Sequence, residues 1–559
     1  MRAKITNADL AEFFISKAEG ENIVSEVFSF LELDCFARLQ IDPVALDKQV
    51  ADFRRSDYAD IHALAVVIEI LRDAKHKAAE QDQELIEKAK AYVDTHYTED
   101  FSVEKMAEDF YVSYHYLCHC FKKGVGLSVI EYRNQKRIEL AVRKLLETDK
   151  KIAEIATQCG FNSISYFTEV FSKLVGDNPT AFRMSQKDLH IHDFYTLEDI
   201  LLAAKMPAVS LLAETLSPVR NSDLTLTPVN VPDEEFSFLH EAAIIEYHGV
   251  LYAAWYNNRK VELQGYTPIC GRRSYDHGKT WTDREIIAED KSAKILYCPP
   301  VFGICEDQLY LLLNQMTAPD HIHSMDLYVL NPQTQKFEFL WSRPIPFKLN
   351  TNVVQLPNGK LMLPGRVGEL DGFPNTPAVL ISDSGKIDDQ WRLVKIAENG
   401  DLADGKKLVY PELSVMRDGQ TLYMFCRNDQ RTVPLVYLSE DYGETWSVAH
   451  THDVPVRSSK IYCGNLSDGR KYLIASTRPG RVKLTVYFTE KNSNTFTKYL
   501  DLFEKEHTPV AGVTTCHYPC AYECEGKLYV IATVGYESGS DTTRGASLLV
   551  IDLDSLDIE

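Results

Sequence analysis

The 559-residue sequence has no long hydrophobic run, no C-x₂-C cysteine pair and no overall excess of positive charge. No stretch of about 18 apolar residues occurs and no apolar run follows Met1, so we expect neither a membrane-spanning helix nor a secretory signal. The twelve cysteines include no C-x₂-C pair, the spacing that zinc sites favour. We therefore expect a cytoplasmic protein with reduced thiols, no metal or other cofactor, and no membrane partner.

The formal net charge of −21, taken over the whole chain, argues against nucleic-acid binding. The charge is unevenly distributed, however, because nine basic side chains stand against four acidic ones between Lys122 and Lys151. Such a basic segment suits contacts with phosphate, while an acidic remainder discourages non-specific binding to DNA. The length of the chain predicts two or three domains, and one of them is locally basic.

A short helix, a tight turn and a second helix are predicted between Ile152 and Arg183. Gly160 supplies the turn, and apolar residues at helical spacing, including Tyr166 and Phe167, form the inner faces. This order is typical of a helix-turn-helix, whose second helix enters the major groove of DNA. The outward side chains that we expect to contact DNA are Asn162, Ser163, Ser165, Thr168 and Lys173.

A second copy of the pattern lies upstream. Ser102 is predicted to cap its first helix, and a turn near Tyr111 leads into a second helix over Ser113–Lys123. A basic helix over Val129–Thr148 connects the two copies. The candidate DNA contacts of this region are Ser113, Tyr114, His115, Tyr116, His119, Lys122 and Arg137.

Residues from about Leu85 to Ser185 resemble the DNA-binding domain of the AraC/XylS family of bacterial transcription regulators. The resemblance rests on IAEIA…CGF…SYFTEVFSKLVG…P…FR in residues 152–183 and on YRNQKRIELAVRKLL in the connecting helix. The closing family pattern GxSPxxYR reads GDNPTAFR here, a mild departure. Family members read two adjacent major-groove segments, so the resemblance implies double-stranded promoter DNA and RNA polymerase as partners.

Beyond residue 186 the pattern changes from helices to short strands separated by turns. After an expected linker over 186–219, with a short helix predicted at Leu197–Lys205, a turn followed by an apolar strand recurs six times. The turns centre on residues 249, 307, 359, 419, 469 and 526. A period of about 55 residues is typical of four-stranded blades. The predicted fold class is multidomain: an all-α double helix-turn-helix domain (85–185) followed by an all-β six-bladed β-propeller (220–559).

Two segments of this half, Ser274–Trp281 and Ser439–Trp446, both read S-x-D-x-G-x-T-W. Serine and aspartate can close such a turn by side-chain hydrogen bonds, so we interpret both segments as structural. These Asp boxes make residues Leu224–Leu553 resemble the sialidase-like propellers with BNR repeats. Cys516, Cys520 and Cys524, four residues apart in a predicted strand, are interpreted as core residues and not as metal ligands.

In a propeller, the first strand of each blade ends at the central cavity and the second strand returns to the same mouth. This register predicts one binding site made by His240, Trp255, Asn352, Arg366, Arg427 and Arg478. Three arginines around one cavity suit a carboxylate, which a guanidinium binds with two parallel hydrogen bonds. The expected ligand is therefore a carbohydrate or another anionic small molecule.

Sialidases use an arginine triad, a tyrosine nucleophile paired with a glutamate, and an aspartate acid/base. The resemblance assigns the catalytic pair to Glu412 and Tyr518. The first blade departs from the family, because Leu239-His240-Glu241-Ala242 stands where Arg-Ile-Pro is usual. No aspartate replaces the acid, and the nearest carboxylates are Glu262 and Glu241. This pattern favours ligand binding over fast turnover, with arginines held in inter-blade salt bridges as the structural alternative.

Residues 1–83 are predicted to be helical and either form a homodimer or buttress the DNA-binding domain. Our hypothesis is a sequence-specific transcription regulator of a carbohydrate-related operon, in which the propeller senses a sugar. The alternatives are a glycoside hydrolase fused to its own regulator domain and a propeller that serves as a protein-interaction platform.

Overall fold

The computed structural model describes residues 81–186, 196–219, 224–319, 321–367, 375–396, 402, 407–429, 432–507, 512–536 and 543–557. The chain divides into two compact units between Ser185 and Gln186. The helical segment predicted over 1–83 lies outside the described residues as far as residue 80. Within the described ranges, no helix combines the length and the apolar character needed to cross a membrane.

The first unit is all-α over its described part. Its helices are α1 (81–96), α2 (Val103–Asp109), α3 (Tyr114–Val125), α4 (Val129–Glu147), α5 (Ile152–Gln158), α6 (Ile164–Val175) and α7 (Pro179–Ser185). Helices α2–α3 and α5–α6 are the two predicted helix-turn-helix copies, and α4 connects them.

Serine side chains set the starts of these helices. Ser102, Ser113 and Ser163 each accept a hydrogen bond from the backbone N–H three residues further on, which satisfies a donor that the first helical turn leaves free. Ser128 and Glu131 form a reciprocal capping box at the start of α4. The predicted helix starts are therefore confirmed by cap geometry.

Gly160 makes the turn of the second copy possible. Its φ of +85° lies in the left-handed region, and an added Cβ would lie 2.3 Å from the Thr98 carbonyl oxygen. Tyr111 occupies the equivalent turn of the first copy with φ +57°, and its side chain is 96% exposed. The two turns thus have the same backbone shape, but only the second is closed in by a neighbouring segment.

The segment predicted to be a linker over 186–219 begins the second unit and contains a helix and two strands in its described part. Residues Leu197–Ala203 form helix α8, followed by strands β1 (Ala208–Val209) and β2 (Leu212–Pro218). Strand β1 pairs in parallel with the outer strand of the fourth blade, and β2 pairs in parallel with the outer strand of the fifth. We call residues 196–219 the strap, because they cross the outside of two neighbouring blades.

Six blades follow. The first three are made of β4 (Phe238–Tyr247), β5 (Val250–Asn258), β6 (Ile269–Ser274) and β7 (Glu285–Ala288); β8 (Leu296–Cys305), β9 (Gln308–Ala318), β10 (His321–Asn331) and β11 (Lys336–Arg343); and β12 (Phe347–Leu349), β13 (Val354–Gln355), β14 (Leu361–Val367), β15 (Thr376–Ser382) and β16 (Arg392–Lys395). Both β12 and β13 pair with β14, so the innermost strand of the third blade is interrupted.

The fourth and fifth blades are β17 (Leu413–Asp418), β18 (Thr421–Cys426), β19 (Leu435–Ser439) and β20 (His450–His452), then β21 (Tyr462–Asn465), β22 (Lys471–Ser476), β23 (Lys483–Thr489) and β24 (Phe496–Glu504). The sixth is β25 (Val513–Cys524), β26 (Lys527–Tyr536) and β27 (Arg544–Asp552), completed by β3 (Thr227–Asn230). Short 3₁₀ helices occur at Pro479–Arg481 and Leu553–Asp557. Strand β3 precedes the first blade in sequence but pairs antiparallel with β27, which closes the ring and covers an edge.

All six predicted turns fall between the first and second strands of a blade, so the predicted fold class is confirmed. The two Asp boxes have the same internal hydrogen bonds: Ser274 and Ser439 each donate to the box aspartate at 2.8 Å, and Asp276 and Asp441 each accept from a threonine N–H at 2.9 Å. Each aspartate is occupied within its own turn, which agrees with the structural interpretation.

Candidate functional site

A cavity of about 280 Å³ lies at the mouth of the propeller, and all six blades contribute to it. It is lined by His240, Glu241, Glu262, Leu263, Pro319, Lys348, Arg366, Tyr410, Glu412, Arg427, Arg481 and Tyr518. Four of these side chains are cations and three are carboxylates, so the lining is dominated by charge. Such a cavity suits a small polar ligand better than an apolar one.

The backbone is strained around this cavity. Five non-glycine residues that line the cavity have positive φ angles: Glu241, Leu263, Tyr410, Arg481 and Tyr518. Two of them, Glu241 and Tyr518, lie at register shifts in the innermost strands β4 and β25, where an extra residue re-aims the side chain. Strain of this kind persists only where the surrounding structure enforces it, and it concentrates at functional sites.

Arg427 lies at the centre of the charged lining. Its Nη1 donates to Glu412 Oε2 at 2.7 Å and also to the Tyr518 hydroxyl oxygen. Its Nε and Nη2 donate to the two oxygens of Asp429 at 2.8 and 2.6 Å. One guanidinium therefore joins two carboxylates and a phenol, and it presents most of its five N–H donors to groups of the protein.

These contacts set the protonation states of the site. Burial opposes ionisation of Glu412, but Arg427, Lys460 and Arg366 outweigh it and hold the pKa of this carboxyl below its usual value. Burial, followed by the charge of Glu412, raises the pKa of Tyr518 far above its usual value of 10, although Arg427 and Arg481 oppose this. The site thus holds an ionised carboxylate beside a protonated phenol.

A second buried ion pair lies beside the first. Lys460 Nζ is 3.2 Å from Glu241 Oε2, and both side chains are less than a tenth exposed. Lys460, Arg427 and Arg481 lie 5.9, 5.7 and 5.3 Å from the Tyr518 ring centroid, so three cations surround one phenol ring. On the third blade, Arg366 lies 5.7 Å from the ring of Tyr410.

The structure brings together five of the eight propeller residues that the sequence predicts for the site, namely His240, Arg366, Glu412, Arg427 and Tyr518. Trp255 is fully buried and donates to Asn257, so it belongs to the core of the first blade. Asn352 accepts from the Phe302 N–H and donates to the Ile244 carbonyl. It therefore ties blades together and does not line the cavity.

The prediction that Arg478 lines the cavity is wrong, and Arg481 lines it instead. Strand β22 ends at Ser476, and the Pro479-Gly480 turn that follows directs Arg481 to the mouth. Arg478 is half exposed and pairs with Glu504 at 3.0 Å and Glu506 at 3.8 Å. Proline followed by glycine is a strong turn signal, so the sequence carried the information that the register changes here.

Three further charged or aromatic residues were missed by sequence reasoning. Tyr410 lies two positions before Glu412 but has a positive φ, so an alternating strand pattern does not indicate it. Lys460 lies two positions before Tyr462, the first residue of strand β21. Lys348 comes from the short strand β12, for which the sequence shows no distinguishing pattern.

Glu262 is the carboxylate at the first-blade rim of the cavity. Its Oε1 accepts a hydrogen bond from the Tyr256 hydroxyl at 3.0 Å. Glu241 is instead held by Lys460 and also accepts from the Cys298 thiol at 3.5 Å. Of the two candidate acids, Glu262 is therefore the one without a cationic side chain within ion-pair distance among the described residues.

The candidate DNA interface lies on α3 and α6 of the first unit. The exposed candidates are Ser113, Tyr114, His115, His119, Lys122, Asn162, Ser163, Ser165 and Lys173, whereas Thr168 is half-buried and donates to the Ile164 carbonyl. Ser113 and Ser163 also serve as helix caps. Tyr166, expected on the inner face, is instead 45% exposed, and its hydroxyl accepts from Asn134.

Two candidates are occupied within the domain. Arg137 is only 5% exposed, and its guanidinium donates to the Tyr97 and Glu99 carbonyl oxygens at 2.5 and 2.8 Å. The prediction that Arg137 contacts DNA is therefore wrong, because its long side chain points inward to hold the loop after α1. Tyr116 donates to Asp82 at 2.7 Å and is half-buried, which also makes it a packing residue.

Comparison with known families matches both units. Residues 249–530, about half of the chain, match the family described as BNR repeat-like domain. Residues 106–185 match the family described as Helix-turn-helix domain, here of the AraC type.

Two curated relatives are each similar over about a fifth of the chain. The uncharacterised HTH-type transcriptional regulator YijO of Escherichia coli is 35% identical over 107 residues, which cover 19% of this chain and 38% of that protein. The bifunctional transcriptional activator/DNA repair enzyme AdaA of Bacillus subtilis is 32% identical over 106 residues, which cover 19% and 50%. The chain thus spans half or less of the length of these two relatives.

Solved structures similar to the chain cover about 60% of it. The Hadza microbial sialidase Hz136 is 13% identical with a TM-score of 0.47 and covers 58% of this chain and 67% of its own. Trypanosoma rangeli sialidase is 13% identical with a TM-score of 0.45 and covers 60% and 59%. A protein of unknown function from Dyadobacter fermentans is 15% identical with a TM-score of 0.48 and covers 60% and 99%.

Proposed function

The chain belongs to the BNR repeat-like domain family and carries an AraC-type DNA-binding domain, and from this premise we propose that it is a transcription regulator controlled by a carboxylate-bearing sugar. The helical unit binds promoter DNA through α3 and α6, and the mouth of the propeller binds the sugar. Ligand binding changes DNA occupancy by favouring one state of the protein over another.

One observation carries the ligand class: Arg366, Arg427 and Arg481 all line the same 280 Å³ cavity. Guanidinium groups are the side chains best suited to hold a carboxylate, and aromatic rings such as that of Tyr410 provide a surface for a sugar ring. The cavity volume is slightly below the usual range for drug-sized ligands, which begins at roughly 300 Å³, and this favours a monosaccharide.

The same geometry favours binding over hydrolysis. Arg427 donates to both Glu412 and Tyr518, and burial with the charge of Glu412 raises the pKa of Tyr518 and keeps it protonated. A tyrosine nucleophile needs a base that accepts its proton, yet the Glu412 carboxylate is held by a guanidinium. This arrangement supports a receptor that retains the ligand unchanged.

The test is isothermal titration of the full chain with N-acetylneuraminic acid, glucuronic acid and galacturonic acid, with N-acetylglucosamine as the neutral control. We expect at least one acid to bind and to raise the melting temperature, and the neutral sugar to do neither. An operator duplex obtained by in-vitro selection should then show altered affinity when that acid is present. If none of the three acids binds, the proposed ligand class is wrong.

A second candidate function is a glycosidase, favoured by the presence of Tyr518, Glu412 and Glu262 around one cavity. A fluorogenic sialoside distinguishes the two candidates. Release of the fluorophore by the wild-type chain, abolished in both Tyr518→Phe and Glu412→Gln, would establish an enzyme. No release from a chain that binds the free acid would support the receptor.

A further inference from the structure

The second helix of each helix-turn-helix, α3 or α6, is its recognition helix, and both recognition helices begin with an exposed apolar side chain. Tyr114, the first residue of α3, is 41% exposed, and Ile164, the first residue of α6, is 52% exposed. A single apolar residue at a protein surface needs no explanation. The same feature at the start of both recognition helices does need one, because exposed apolar surface is unfavourable in water.

The two positions are equivalent in the two copies. Each recognition helix has twelve residues, follows a serine whose hydroxyl accepts from a backbone N–H, and ends before a glycine with a positive φ. Tyr114 and Ile164 each come directly after that serine. The N-terminal residues of a recognition helix are the ones that reach base edges in the major groove. Both apolar side chains therefore lie where such helices contact bases.

On α6, the polar side chains around Ile164 are engaged within the helical unit. The Thr168 hydroxyl, one turn further along, donates to the Ile164 carbonyl at 2.9 Å. The Ser163 hydroxyl accepts from the Tyr166 N–H at 3.3 Å, and the Tyr166 hydroxyl accepts from Asn134 of α4 at 2.9 Å. These bonds leave the Ile164 side chain as an apolar element on the exposed face of the first helical turn.

On α3, the polar end of the Tyr114 side chain is engaged as well. Its hydroxyl and the thiol of Cys118, one helical turn further on, are hydrogen-bonded. Its ring packs edge-on against the His115 ring, with the ring centroids 5.5 Å apart and the planes at 75°. The surface that this side chain offers to a partner of the helix is therefore mainly the carbon surface of the ring.

Thymine is the base that an apolar side chain recognises. In the major groove each base pair presents hydrogen-bonding atoms, and thymine adds a 5-methyl group that adenine, guanine and cytosine lack. Apolar side chains contact this methyl group, and the contact removes both surfaces from water. An exposed isoleucine, or a ring whose hydroxyl is already bonded, matches thymine better than it matches the hydrogen-bonding edges of the other bases.

We propose that Ile164 and Tyr114 are specificity-determining residues of the DNA-binding unit, each contacting the 5-methyl group of one thymine in the major groove. This inference rests on the proposed binding of DNA through α3 and α6, and it adds the base that the first residue of each helix selects. Because the two helices contact different groove segments, the two thymines occupy separate parts of the operator.

The experiment uses an operator duplex that the full chain selects in vitro from a randomised library. Each thymine of the selected site is replaced in turn by uracil, which keeps every hydrogen-bonding atom of the base and lacks only the methyl group. Affinity is measured by fluorescence anisotropy. We expect two thymines, one for each recognition helix, at which uracil weakens binding about fourfold, the factor that corresponds to burial of one methyl group.

Variants of the full chain assign the two thymines. In Ile164→Ala, uracil at one of them should no longer change the affinity, while the other thymine keeps its effect, and Tyr114→Ala should show the reverse. Ile164→Val keeps a branched apolar side chain and should keep both effects. Ile130→Ala is the matched control and should also keep both, because Ile130 is an exposed isoleucine that lies on the connecting helix α4.

Three results would contradict the inference in different ways. If uracil leaves the affinity unchanged at every thymine, methyl contact is ruled out while DNA binding stands. If both thymines keep their effect in Ile164→Ala and in Tyr114→Ala, other residues read the methyl groups. If the wild type selects no sequence, specific DNA binding fails and this inference fails with it. Ile164→Ser and Tyr114→Ser are the second variants if an alanine variant does not fold.

Discussion

The Arg427 guanidinium lies 2.7 Å from the Glu412 carboxylate, and both side chains are less than a tenth exposed. A buried pair of this kind contributes little net stability, because the loss of hydration offsets most of the attraction. Its presence at the mouth of a propeller is better explained by recognition. Under the proposed function, the pair keeps a charged guanidinium oriented at the cavity for a ligand carboxylate.

The two arginines of the fifth-blade turn should differ sharply in their effect on ligand binding. Arg481 lines the cavity, whereas Arg478 pairs with Glu504 outside it. A hydrogen bond to a charged group contributes about 1.5–3 kcal/mol, so Arg481→Ala should weaken binding of the acidic sugar roughly 10- to 100-fold. Arg478→Ala is the matched control and should stay within about twofold. Equal losses in the two variants, measured by calorimetry, would contradict this assignment of the site.

The fold was predictable because its signals are local. Each of the six turns before a second strand carries its own turn residues, and five of them centre on glycine. The Asp boxes and the serine caps likewise depend on residues only two to four positions apart. Each forms the hydrogen bonds that its residue types predict. Periodicity and turn chemistry were sufficient for the architecture.

The site was only partly predictable because its contacts are not local. The Lys460–Glu241 pair joins residues 219 positions apart, and no spacing rule indicates it. The choice of Arg478 over Arg481 assumed that β22 extends past Ser476, whereas the chain turns there. The prediction that Arg137 contacts DNA was wrong for another reason. A basic side chain on a helix can point to solvent or to a carbonyl oxygen of the protein, and its charge alone does not distinguish the two.

The stability of the propeller should fall as the pH drops below about 6.5. His240 and His517 are 1% exposed, and burial, assisted by Arg544 and Arg481, lowers the pKa of both well below 6.5. The folded state keeps them neutral while the unfolded state takes up protons, so stability is complete above pH 6.5 and decreases below it. Each histidine contributes a slope of up to about 1.4 kcal/mol per pH unit.

The pH effect is measured as the urea midpoint of the propeller transition between pH 7.5 and 5.5. The His240→Gln and His517→Gln double variant should have a smaller slope than the wild type. A slope that is the same in both proteins would show that the buried pair does not cause it.

Alanine substitutions at Gly160 and Gly176 measure how much the close contact between Gly160 and Thr98 restricts the turn of the second helix-turn-helix. Both have φ near +85 to +89°, but a Cβ on Gly176 meets nothing within 4 Å, whereas one on Gly160 lies 2.3 Å from the Thr98 carbonyl. Gly176→Ala should therefore cost only the left-handed penalty, about 1 kcal/mol. Gly160→Ala should cost clearly more, measured by urea unfolding of the helical unit, because backbone must move. Equal losses would mean that the Thr98 segment shifts freely.

Substitutions of Lys173 and Arg137 should affect different properties: the first DNA binding, the second the stability of the helical unit. Lys173 is exposed on α6, so Lys173→Ala should weaken operator binding at every sequence and lower the salt slope by about one. Arg137 is buried against two carbonyl oxygens, so Arg137→Ala should leave them unsatisfied and destabilise the helical unit by roughly 1–3 kcal/mol. The fraction of Arg137→Ala that remains folded should keep the wild-type salt slope. A reduced slope in a fully folded Arg137→Ala protein would place this arginine on the DNA after all.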